Sequence, residues 1–147
     1  MKIIEDALRD VTSLGGLLFS LLILIGVMLA KEWKLFVQLL IGSFLILVIV
    51  ASIRFFYYKP RPLVQKYKTT IERIDASAFP SLHAARLTFL FLCFSYFFSK
   101  LGWTVFFFVL LGLGFYSRIY LRKHDWKDIL CGLVVGVSIF FLVRMIV

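Results

Sequence analysis

The segment "SRIYLRKHDWKD" at residues 117–128 sets His124 and Asp128 four residues apart, between two stretches that are almost entirely hydrocarbon. Residues at i, i+4 share one face of a helix. Asp128 could therefore accept the imidazole N–H of His124 and fix its tautomer, so that the other ring nitrogen presents its lone pair outward. If a helix begins near His124, Asp125 and Asp128 suit its positive end, which also disfavours protonating the imidazole. The chemistry open to such a group is nucleophilic attack. Two neighbouring side chains of this kind can also simply satisfy one another, so the pair needs company to carry a function.

The company is present. The chain's other histidine, His83, lies in "FPSLHAAR", and Arg54 and Arg61 lie in "RFFYYKPRP". Arg54, Arg61 and Arg118 carry planar, permanently charged forks that match tetrahedral oxyanions. Three of them near one imidazole would repel each other unless a multiply charged anion sat among them, and phosphate meets that need. Ser81 and the first amides of a helix opening at Pro80 would add uncharged donors. Pro80 itself suits a first-turn position, having no N–H to leave unpaired. Lys66, Lys68, Arg73, Arg122, Lys123 and Lys127 read more simply as interfacial charges reaching for headgroups.

The elements that must position these residues are apolar. Hydrophobic residues make up 62% of the 147, against about 45–50% in a typical soluble domain. Nearly uncharged runs at 14–30, 35–53, 87–99, 101–117 and 129–143 predict a transmembrane helical bundle of about five short spans, and no period-2 alternation supports a β-barrel. Residues 1–13, with Ile3, Ile4, Ala7, Leu8 and Val11 roughly on one side, predict a short interfacial helix rather than a cleaved signal peptide. Trp33 and Trp103 stand where interface anchors belong. Two spans separate the long 54–86 loop from 118–128, so both polar segments emerge on the same membrane face and can build one site. Residues 1–147 thus read as one integral membrane domain. The net charge of +9 is bunched, which suits lipid headgroups or phosphates better than nucleic acid. Cys93 and Cys131 read as small buried hydrophobes.

Taken together, the three clusters resemble the signature of the type-2 phosphatidic acid phosphatase and vanadium haloperoxidase superfamily: K-x6-R-P, then P-S-G-H, then S-R-x5-H-x3-D. The third is matched in full by Ser117, Arg118, His124 and Asp128. In the second, Leu82 replaces Gly, and in the first Arg54 replaces Lys, with Arg61-Pro62 in register. The resemblance spans residues 54–128. It implies hydrolysis of a lipid phosphate or diphosphate through a phosphohistidine, without metal or other cofactor. His124 would be the nucleophile, Asp128 its orienter and His83 the general acid. Arg54, Arg61, Ser81, Leu82 and Arg118 would surround the phosphoryl oxygens.

The expected partners are therefore a lipid phosphate substrate and the bilayer, with no nucleic acid. Two alternatives keep the same residues: a transferase that passes the phosphoryl headgroup to a lipid alcohol, and a non-catalytic bundle that gathers anionic lipids. Counting Lys and Arg alone would put the site in the cytoplasm, whereas the resemblance implies the extracytoplasmic face of a multi-pass cell-membrane protein. The latter is the expectation adopted.

Overall fold

A computed structural model describes residues 2–63 and 65–147, with side chains from residue 6 onward, leaving Ile3 and Ile4 outside the described side chains. Seven helices and no strand occur among the described residues: α1 Lys2–Ser13, α2 Leu17–Leu29, α3 Trp33–Phe56, α4 Thr70–Ala76, α5 Leu82–Phe98, α6 Leu101–Tyr120 and α7 Trp126–Ile146. Each of the five apolar runs is helical. The residues facing outward from α2, α3, α6 and α7 include Leu18, Phe44, Phe108 and Phe141, all exposed. Such a girdle is a surface for lipid. Trp33 and Trp103 are exposed at helix starts, where anchors belong.

The runs do not all become full spans. Three helices, α3, α6 and α7, are long and apolar enough to cross a membrane. The 14–30 run loses its first residues to a turn at Leu14–Gly16, so α2 keeps 13 residues and joins the end of α1 at a 49° bend, a fourth span only as a pair. The span expected at 87–99 is the 17-residue α5. It lies at the centre of the bundle, packed on α3, α6 and α7, and is buried without a break from Ala84 to Phe91. Its apolar residues as far as Phe91 face protein rather than lipid, while Tyr96, Phe97 and Phe98 at its end are exposed.

Small residues let α7 press onto α5. A Cβ added at Gly132 would stand 2.5 Å from the Ser81 carbonyl oxygen and 2.9 Å from Ala84 Cβ, and one at Gly136 would stand 2.5 Å from the Ala85 carbonyl oxygen. This small-xxx-small spacing brings the two backbones together. It also holds the start of α5 beside the start of α7, where the Ser81 N–H donates to the Asp128 carbonyl at 3.0 Å. The 57–81 connection ties down the same end of the bundle: Leu63 N–H donates to the Arg122 carbonyl and Ala78 N–H to the Lys59 carbonyl. The polar ends of α3, α5, α6 and α7 therefore meet on one face.

Candidate active site

His124 sits in the turn between α6 and α7. Helix α7 is capped by Asp125, whose carboxylate accepts from the Asp128 N–H at 3.1 Å while the Asp128 Oδ2 accepts from the Asp125 N–H at 3.0 Å. This capping box places His124 just ahead of the helix, not on its face as the i, i+4 spacing suggests. The imidazole, 2% exposed, turns instead toward the 76–81 segment, where its Nδ1 is 2.8 Å from the Ala78 carbonyl oxygen. A carbonyl only accepts, so Nδ1 carries the proton and Nε2 the lone pair. Asp128 Oδ2 lies 3.8 Å from Nδ1. It acts on the ring as a nearby charge, while the Ala78 carbonyl takes the hydrogen bond expected of Asp128.

The lone pair faces cations. Arg118, buried in the last turn of α6, brings Nη2 to 3.3 Å from His124 Nε2, and its Nε is buried without a hydrogen-bond partner. Arg54, buried in the last turn of α3, donates from Nε and Nη2 to the Pro80 carbonyl at 3.2 and 2.8 Å, and from Nη1 to that of Ile74. It therefore holds the segment leading into α5 as well as supplying charge. Arg61 donates to Gln65 and to the Asp75 carbonyl, and its Nε is likewise buried and unpartnered.

A cavity of about 450 Å³ is lined by Arg54, Arg61, Leu82, His83, Arg118 and His124, six of the eight residues singled out in the sequence. The other two lie behind it. Asp128 is buried below His124, and Ser81 is the N-cap of α5, its Oγ accepting from the Ala84 N–H at 3.3 Å. Pro80 thus precedes the cap instead of opening the helix, because the serine hydroxyl occupies the capping position. Leu82 and His83 are the first two residues of α5, so the start of that helix forms part of the wall.

Several wall residues carry no signature motif. Arg9, Thr12, Ser13 and Leu17 come from α1 and the start of α2, with Asp75, Arg86 and Lys123 from elsewhere. Thr12 shares a 2.6 Å hydrogen bond with Ser117, closing α1 over the end of α6. Lys123, read from sequence as a headgroup charge, belongs to the cavity. Six cations against the single carboxylate of Asp75 make this an anion site. Among the described residues no group of three or more His, Cys, Asp or Glu side chains could hold a metal ion.

The charge field also acts on the ring. Burial holds the His124 pKa below the ordinary imidazole value; Arg118, Arg61 and Arg54 push it the same way, and Asp128 opposes them. Lys59, also unmarked in the sequence, bridges Asp125 Oδ2 and Asp128 Oδ1, both at 2.6 Å. Burial works against its ammonium, but those two hydrogen bonds outweigh the cost and hold its pKa above the ordinary lysine value.

Fold and composition define a multi-pass membrane protein of packed helices with one polar end. The chain belongs to the PAP2 superfamily, whose family model matches residues 17–147. Among solved structures it is similar to the crystal structure of Aquifex aeolicus LpxE, 22% identical, with a TM-score of 0.82 over 99% of this chain and 87% of that one. That likeness shows a shared fold. No curated relative matches the sequence. Family and membrane fold together support a lipid phosphatase.

Proposed function

We propose that this chain hydrolyses a lipid phosphate or diphosphate monoester at the membrane interface through a phosphohistidine on His124. The observation that carries the reading is the fixed tautomer: Nδ1–H is committed to the Ala78 carbonyl, and Nε2 faces a cavity lined by arginines. Nε2 attacks phosphorus, and the ester P–O bond breaks as His83, protonated as the anionic phosphate enters among the arginines, gives that proton to the leaving oxygen. His83 then takes a proton from water as that water attacks the phosphohistidine, the P–N bond breaks, and inorganic phosphate leaves. Arg54, Arg61 and Arg118 hold the phosphoryl oxygens and offset the charge that builds on them. The unpartnered Nε–H groups of Arg61 and Arg118 are donors suited to that task. We place the site on the extracytoplasmic face, as the resemblance implies; an impermeant thiol reagent should label Lys68→Cys but not Lys100→Cys in intact cells.

The deciding experiment is an alkaline detergent quench of the purified enzyme turning over a ³²P-labelled lipid phosphate. Protein-bound label that is stable to base and labile to acid is expected, and His124→Ala should abolish it. Turnover with no such label would remove the phosphohistidine. A panel of lipid monophosphates and diphosphates in the same assay would name the substrate.

A further inference from the structure

Lys59 holds both residues that face His124 Nδ1. Its ammonium holds the Asp128 carboxylate at 2.6 Å, and its backbone carbonyl accepts the Ala78 N–H at 2.7 Å. Its own N–H donates to Ser77 Oγ at 3.2 Å. The carbonyl that fixes the tautomer and the carboxylate 3.8 Å from the same nitrogen are thus tied to one residue. On the phosphohistidine reading above, we infer that Lys59 is a positioning residue that keeps the Nδ1 proton on the phosphorylated imidazole.

The chemistry makes that proton matter. A phosphoimidazolium expels neutral imidazole when water attacks phosphorus. If Nδ1 has first lost its proton, the leaving group is an imidazolate and the P–N bond resists hydrolysis. Asp128, completely buried, is the nearest base that could remove the proton. A buried carboxylate without a counter-charge takes up protons readily, and a bound ammonium suppresses this. Lys59 leaves Asp128 its negative charge, which stabilises the cationic ring, but makes it a poor acceptor for the ring's proton. No covalent bond to Lys59 forms or breaks.

The test separates the two halves of the cycle by alkaline detergent quench with ³²P-labelled lipid phosphate. Lys59→Met should phosphorylate at a rate near that of the wild type but lose label more slowly, by roughly tenfold for each pKa unit gained by Asp128. Labelled enzyme should therefore accumulate at steady state, and Lys59→Arg should restore its breakdown. Removing the acceptor should cancel the effect, so Lys59→Met/Asp128→Asn should lose label as fast as Asp128→Asn alone. That pair also decides the matter if Lys59→Met alone does not fold. Unchanged label decay in folded Lys59→Met, or further slowing of the double variant relative to Asp128→Asn, would overturn the role of Lys59. Absence of label in the wild-type enzyme would instead overturn the phosphohistidine itself.

Discussion

His83 lies at the cavity wall with its ring against Gly15, where an added Cβ would stand 2.7 Å from Cδ2. In the proposed role of general acid it should matter in proportion to how badly the leaving group needs a proton. His83→Ala should slow lipid monoesters by roughly 10²–10⁴-fold in the burst phase, and p-nitrophenyl phosphate much less. Equal losses would make it a phosphate ligand only. For Asp128→Asn, the Ala78 carbonyl should preserve the tautomer, so the burst rate should fall only roughly 10–100-fold, by analogy with the hydrogen-bond partners of metal-bound histidines. A loss of about 10⁴-fold would mean the wrong tautomer had formed. The depressed pKa of His124 also has a sign. Its reactive neutral form persists into acid, so the acid limb of kcat/KM should fall below about pH 6.5. Because the unfolded chain binds that proton first, acidification through that region should also lower stability. Most of the residues that the cavity brings together were legible in residue types and spacing, since imidazoles and guanidiniums are rare in apolar chains. Ala78 was not, because the group that matters is a backbone carbonyl with no side-chain signature. Lys59 was hidden among other basic residues of the 54–73 loop.

At the scale of elements, the contact between α5 and α7 sets the site. Gly132→Val would drive side-chain atoms into the Ser81 carbonyl and Ala84. It should cost about 1–3 kcal/mol or more, visible as a lower melting temperature in detergent together with lost activity, since His83 follows two residues after Ser81. Gly112 has nothing within 4 Å of its added Cβ, so Gly112→Ala should leave stability unchanged or raise it by up to about 1 kcal/mol, with a melting temperature no lower than that of the wild type. The five apolar helices and their shared polar end could be read from charge-free runs and the parity of spans. The centrality of α5 could not, because a helix buried in protein and one buried in lipid carry much the same composition. Nor did the 14–30 run announce its break, which depends on Gly15 and Gly16 closing a turn against the α5 start.

For the whole molecule, the proposed charge neutralisation at the phosphate comes from arginines in three separate parts of the chain, α3, the connection after it and α6. Activity should accordingly survive EDTA, and orthovanadate should inhibit by adopting the geometry of five-coordinate phosphorus at His124; loss on chelation, restored by Mg²⁺, would contradict this assignment. The unequal helix lengths bear on the bilayer itself. At 1.5 Å per residue α2 rises only about 20 Å, some 10 Å short of a typical hydrocarbon core of ~30 Å. Its exposed leucines offer lipid a wall lower than the lipid's own tails, and its first residue, Leu17, lines the cavity. Membranes relieve such mismatch by thinning. On the proposed function, the leaflet surface should dip beside this cavity, letting a phosphate headgroup reach the arginines while its tails stay among their neighbours.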